Sequence, residues 1–320
     1  MSALKRKVLV FSALLALSAC GGSSSNEQDV VGTLPINGGG DLIDDCVECG
    51  WNINQWKLTL PVSQDDYYGT GGSSAAELIP ADCSSKEKLS NETSLEYFWR
   101  ETSPDVLSFK VNLDEIGATT TNSSYVRSEL RELYHFETEN RCSSSNQNWF
   151  ITGEHKLEST LIIEQYPTIT GLAPKVVLGQ VHGYEIKQAL VKLLWEGDDK
   201  PVRVILNDSF AGNNQTCDDC QPFSIDLGVA KAYQQWQYTI SVDLQGIELQ
   251  TTIDSEVTIK TLKWGEPVLA NDGHYYTLSK NWLNASYYFK AGIYPQINVN
   301  TAYDNQVFEV GFSKILVTHQ

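Results

Sequence analysis

The chain reads as all-β, a two-sheet antiparallel sandwich or jelly roll. Short apolar–polar alternations recur along most of its 320 residues. Clusters of Gly, Asn, Asp and Pro separate them. Long helical periodicity is scarce, so helices do not alternate with strands as a parallel sheet would require. No internal repeat divides the chain, and its length suits one large β-domain or two small ones.

In chain order, the first segment is a leader. Lys5, Arg6 and Lys7 precede an apolar run from Val8 to Ala19. That run is too short to span a bilayer as a mature helix. It ends in Leu17-Ser-Ala-Cys20, which resembles a bacterial lipobox. Cys20 would then be the lipidated first residue of an exported protein, and Gly21 after it points to the outer membrane of a Gram-negative bacterium. An ordinary signal peptide is the alternative. Residues 21–50 are rich in Gly, Ser, Asn and Asp and read as a flexible tether. The ordered domain is expected over 51–320, where Trp51, Ile53 and Trp56 begin to recur.

Within that domain, strands are expected over Lys156–Ile163, Ala189–Glu196, Val202–Leu206, Trp236–Val242, Ile247–Ile253, Val257–Trp264 and Val307–Val317. Asp243-Leu-Gln-Gly246 suits a turn, making 236–253 a hairpin. A short helix is expected around Ala75–Leu78 or Pro104–Val106.

The formal charge is −17, and loss of the three basic leader residues takes it to −20. Such a surface repels nucleic acid, which is excluded as a partner. Beyond Cys20 there remain Cys46, Cys49, Cys83, Cys142, Cys217 and Cys220. An even count in an exported chain favours disulfides. The expected pairs are Cys46–Cys49, Cys83–Cys142 and Cys217–Cys220. A four-cysteine zinc site from the two C-x-x-C pairs is the alternative, disfavoured by their separation.

Three stretches carry chemistry. Tyr125-Val-Arg-Ser-Glu-Leu-Arg-Glu-Leu133 puts Arg127, Glu129 and Arg131 at alternate positions, hence on one strand face. Leu178-Gly-Gln-Val-His182 does the same for Gln180 and His182. Tyr287-Tyr-Phe-Lys-Ala-Gly-Ile-Tyr-Pro-Gln296 does so for Tyr288, Lys290, Tyr294 and Gln296, with Tyr287, Phe289, Ala291 and Ile293 opposite. Each alone has a bland reading: a solvated ion-pair ladder, a structural histidine, an ordinary strand. Together they describe a donor-rich aromatic groove with two proton carriers.

Arg127-Ser-Glu-Leu-Arg131, Gln180-Val-His182 and Tyr288-Phe-Lys-Ala-Gly-Ile-Tyr-Pro-Gln296 resemble, in that order, the three signature blocks of the alginate lyases of polysaccharide lyase family 7. The resemblance implies a β-jelly roll with a concave groove for an anionic uronate polymer, alginate, cleaved by β-elimination. It implies catalytic roles for Arg127, Gln180, His182 and Tyr288. It places Glu129, Arg131, Lys290, Tyr294 and Gln296 among the substrate-binding residues, with Glu129 orienting the arginines. No metal or cofactor is called for, and the membrane enters only through the N-terminal lipid. The third block departs in Pro295, which removes a ladder donor and is expected to end or bulge its strand. The middle block reads Gln-Val-His rather than Gln-Ile-His, a form that in this family goes with mannuronate blocks.

Removing the proton at C5 of a uronate requires that the adjacent carboxylate be neutralised, that a base sit at C5 and that an acid sit at O4. Arg127 and Gln180 suit the first task, His182 the second and Tyr288 the third; Tyr288, if deprotonated by its basic surroundings, could act as the base as well, and Tyr294 is the fallback for its place. An acidic chain must then hold a locally basic groove. Two other readings compete. A glycoside hydrolase would use paired carboxylates such as Glu129 and Glu185, but arginines beside Glu129 make it a poor general acid. A non-catalytic polysaccharide-binding lipoprotein would need no His182–Tyr288 pair.

Overall fold

In the computed structural model the described residues are 49–80, 83, 88–89, 94–102, 104–115, 117–121, 123–138 and 142–320. The leader, Cys20 and nearly all of the tether lie outside them. Eighteen strands are described. They are β1 (Trp56–Ser63), β2 (Ala75–Leu78), β3 (Phe98–Thr102), β4 (Asp105–Asn112), β5 (Ser128–Glu132), β6 (Trp149–Phe150), β7 (His155–Gln165), β8 (Val176–Gly183) and β9 (Ala189–Trp195). They continue as β10 (Arg203–Asn207), β11 (Pro222–Asp226), β12 (Trp236–Val242), β13 (Gly246–Ile253), β14 (Glu256–Lys263), β15 (Pro267–Leu269), β16 (Tyr275–Thr277), β17 (Ser286–Pro295) and β18 (Val307–His319).

Two sheets form the jelly roll. The nine-stranded sheet runs β11-β10-β9-β8-β17-β5-β1-β2, with β6 also on β17. The seven-stranded sheet runs β14-β13-β12-β7-β18-β4-β3, and β15 and β16 make a separate ribbon. The strands that carry the three motifs, β5, β17 and β8, are therefore neighbours in one sheet although far apart in sequence.

Strand alternation divides the labour. Tyr287, Phe289, Ala291 and Ile293 of β17 are buried in the core. So are Leu157 and Leu161 of β7, Ile240 of β12, and Phe308, Val310 and Phe312 of β18, from the other sheet. Six tryptophans, among them Trp56, Trp149 and Trp282, are almost wholly enclosed. The sheets are also tied by a hydrogen bond: the Tyr238 hydroxyl donates to the Leu178 carbonyl at 2.9 Å. Gly179 permits that reach, because a Cβ there would lie 2.5 Å from the same hydroxyl.

All seven expected strands form, with ends within two residues of expectation. The hairpin at Asp243–Gly246 also forms, its turn closed by Asp243 Oδ1 accepting from the Gln245 and Gly246 amides. The helix expectation fails. Ala75–Leu78 is β2, paired to β1 with Leu58 opposite Leu78, and Val106 lies in β4. Both alanines of β2 are buried, and cross-strand pairing overrides alanine's helical preference. The structure instead has a short helix at Gln64–Tyr68, capped by the Ser63 hydroxyl.

Cys83–Cys142 and Cys217–Cys220 are disulfides. Cys49 is disulfide-bonded as well, while its expected partner Cys46 lies outside the described residues. With Cys217 and Cys220 joined to each other, the four-cysteine zinc alternative falls.

Candidate functional site

One rank of residues crosses the outward face of the large sheet. Lys57 of β1 is opposite Arg131 of β5, which is opposite Lys290 of β17. Lys290 is opposite Gln180 of β8, and Gln180 is opposite Lys192 of β9. In the neighbouring position His182 stands opposite Tyr288. The face opens into a cleft of about 640 Å³ whose walls include Lys57, Arg127, Arg131, His182, Tyr288 and Lys290.

Glu129 lies beneath this rank, 1% exposed. It accepts from Arg127 Nη1 at 2.8 Å, from Lys290 Nζ and from the Gln180 amide. Burial alone would raise its carboxyl. Lys290 and Arg127 overcome that and hold it below the usual carboxylate value. Glu129 is therefore an ionised anchor that orients three donors, and it does not line the cleft itself. A carboxylate held in this state makes a poor general acid, which counts against the hydrolase reading.

Arg127 precedes β5 by one residue. It gives a second hydrogen bond to Ser123 Oγ at 2.6 Å, and its guanidinium carbon lies 3.7 Å from the centre of the Tyr294 ring. The Ser123 and Tyr294 hydroxyls are 3.0 Å apart. Three of its five N–H groups remain uncommitted, and Nε is buried without a partner.

Arg131 lies in the cleft wall. Its guanidinium donates to the Glu132, Gln147 and Ser144 carbonyls and to Asn148 Oδ1. It also sits 4.0 Å from the centre of the Tyr288 ring. Its two terminal nitrogens are committed to the 144–148 loop and the Glu132 carbonyl, and it lines the cleft beside Tyr288.

His182 and Tyr288 form a close pair of titratable side chains. The Tyr288 hydroxyl is 3.3 Å from His182 Nδ1, with the rings nearly parallel. His182 Nδ1 is also 2.9 Å from the Gly183 carbonyl. A carbonyl only accepts, so Nδ1 carries the proton and Nε2 keeps its lone pair. Burial, then the positive charges of Lys290 and Arg127, lower His182 to about 4. Burial raises Tyr288 above the ordinary phenol value, against the pull of Arg131 and Arg127. Lys290 falls to about 8 through burial and the nearby Arg127. These shifts register a locally positive cleft in an acidic chain.

Gln180 is buried, with one amide hydrogen on Glu129. Tyr294 backs Arg127. Gln296 follows the end of β17, donates to the Tyr294 carbonyl and does not reach the cleft wall. The strand ends at Pro295, and its register against β8 shifts between Ala291 and Tyr294. Gly292 allows that bulge, with φ of 123° and no room for a Cβ beside the Ser128 carbonyl.

Sequence reasoning missed Lys57, Ser123 and Lys192. Lys192 had a signal: it is the lone polar residue in Ala189-Leu-Val-Lys-Leu-Leu-Trp195. Burial lowers its pKa, and Arg127 adds to the effect. Lys57, paired to Glu77 at 2.9 Å, gave none.

The comparisons agree with this fold. The family model described as alginate lyase matches residues 51–319. Among solved structures, an alginate lyase from Pseudomonas aeruginosa is 25% identical, with a TM-score of 0.54 over 84% of this chain and 100% of that one. The alginate lyase A1-II', a member of polysaccharide lyase family 7, is 22% identical, with a TM-score of 0.56 over 84% of this chain and 96% of that one. One from Klebsiella pneumoniae shares the fold at 17% identity and a TM-score of 0.57, over 84% of this chain and 97% of that one. A comparison with curated protein sequences gave no match. With the family model spanning nearly all of the described β-domain and the three motifs meeting on one sheet face, the chain belongs to the alginate lyases of polysaccharide lyase family 7.

Proposed function

We propose that this lyase cleaves alginate by β-elimination in the cleft between β5, β8 and β17. The observation that carries the reading is the meeting of Arg127, His182 and Tyr288 in the wall of one cleft, with Gln180 opposite Lys290 on the adjoining strand. Arg127, with free N–H groups and a buried unpartnered Nε, takes the uronate carboxylate. The second amide hydrogen of Gln180 assists it. His182, neutral with Nε2 unprotonated, removes the C5 proton. Tyr288, still protonated, donates to O4 as the bond breaks. The products are a new reducing end and a conjugated unsaturated uronate.

The Gln-Val-His block keeps mannuronate blocks as the expected substrate. Val181 is buried in the core and acts only through how Gln180 and His182 are presented. The proton states favour a second reading. In guluronate the C5 proton and O4 leave from opposite sides, which suits separate base and acid; in mannuronate they leave from the same side, and Tyr288 would have to serve both. Initial rates on purified polymannuronate and polyguluronate, followed by ultraviolet absorbance, test both levels. Absorbance growth is expected. Its absence on both polymers overturns elimination, and faster growth on polyguluronate overturns the mannuronate preference alone.

The pH profile of kcat/KM reports the free enzyme. His182 is depressed from 6.5 to about 4, so the base form is present above that value and lost as pH falls through it. The acid limb is expected near pH 4 rather than 6.5. Lys290, depressed to about 8, loses its charge as pH rises through that value, producing an alkaline limb. Lys290→Arg should move the alkaline limb upward. An acid limb centred near 6.5 would overturn the depression of His182 and leave its base role standing.

A further inference from the structure

The strand that carries Tyr288 has a gap in its ladder. On the edge of β17 facing β5 and β6, β6 pairs with Ser286 and Tyr287, and β5 pairs with Lys290 to Ile293. Tyr288 and Phe289 belong to neither ladder on that edge. The Phe289 amide nevertheless has an acceptor: it donates to Glu132 Oε2 at 2.8 Å.

Glu132 is the last residue of β5 and is fully buried on the core side. Extending the β5–β17 register by one residue would place it opposite Phe289. Its backbone carbonyl instead accepts from Arg131 Nη1. The side-chain carboxylate takes the ladder position that the carbonyl leaves. The same carboxylate accepts from Trp149 Nε1 at 3.0 Å and from His319 Nε2 at 2.6 Å. His319 Nδ1 in turn lies 2.7 Å from His155 Nδ1, and His155 stacks on Trp149.

A buried carboxylate with three directed donors is a stiff element, because each lost bond would strand a charge or a donor in the core. Its two backbone effects converge on the cleft. Through the Phe289 amide it holds the peptide between Tyr288 and Lys290. Through its carbonyl it holds the guanidinium that lies against the Tyr288 ring.

We propose that Glu132 is a positioning residue: its carboxylate replaces a missing strand contact, sets Tyr288 and Lys290 over the cleft, and ties them to the C-terminal strand through His319. The proposal rests on the elimination reading for its kinetic arm and is independent of it for its exchange arm.

The kinetic arm compares Glu132→Leu with Glu132→Gln on alginate, with circular dichroism to establish folding. Glutamine keeps an acceptor oxygen for the Phe289 amide; leucine does not. Folded Glu132→Leu is expected to lose about tenfold to a hundredfold in kcat with KM within about threefold, the scale of a small displacement of a reacting group. Glu132→Gln should recover to within about threefold of wild type. Normal kcat in folded Glu132→Leu, or equal loss in both folded variants, overturns the proposal. The exchange arm uses the wild-type chain and so survives any folding failure. The Phe289 amide should exchange as slowly as the ladder amides of β17. Exchange about a hundredfold faster than theirs overturns the clamp. Failure of wild type to produce absorbance on alginate would instead count against the elimination reading.

Discussion

Tyr288→Phe is expected to cut turnover on alginate by at least ~100-fold, the scale of a general acid–base group. The substitution removes one hydroxyl, 3.3 Å from His182 Nδ1, and keeps the ring against which Arg131 packs at 4.0 Å. The core face of β17 is untouched, so stability should change by no more than about 1 kcal/mol, the net scale of one hydrogen bond. KM should move little, because carboxylate binding falls to Arg127 and Gln180. Steady-state rates and a thermal melt check both parts. Near-normal turnover would take the acid role from Tyr288.

Glu129→Ala should have the largest effect on stability. The carboxylate is buried and joined to Arg127, Lys290 and Gln180, and its loss leaves two cations enclosed without their counter-ion. Removing one partner of a buried ion pair typically costs about 3–5 kcal/mol. Activity should be lost at temperatures where the variant is still folded, since Arg127 and Gln180 lose their common anchor. Adding Lys290→Met removes one stranded charge. The double variant should regain part of the stability and none of the activity. Denaturant titrations of wild type, Glu129→Ala, Lys290→Met and the double variant give the coupling. A loss below about 1 kcal/mol in Glu129→Ala would mean that the cations find other partners.

Much of the site was legible because strand alternation is local. Arg127, Glu129 and Arg131 lie two residues apart, as do Gln180 and His182 or Tyr288 and Lys290, so the shared face followed from backbone geometry. The seven further strands expected from the sequence were legible for the same reason. Others were not: β2 contains two alanines, and β15 and β16 have three residues each, so their pairing partners decide their conformation.

What the sequence by itself determined is the all-β class, the three motif strands, the family and the residue types available for proton transfer. The tertiary structure decided what each residue does. Glu129 and Arg131 look alike in sequence as groove residues. Strand order sinks one beneath three donors, and the 144–148 loop draws three carbonyl and amide acceptors onto the other. The low His182 pKa, the retained Tyr288 proton and the Glu132 contact to Phe289 arise where segments more than a hundred residues apart meet. Burial and charge act through space, and only the folded sheet establishes those distances.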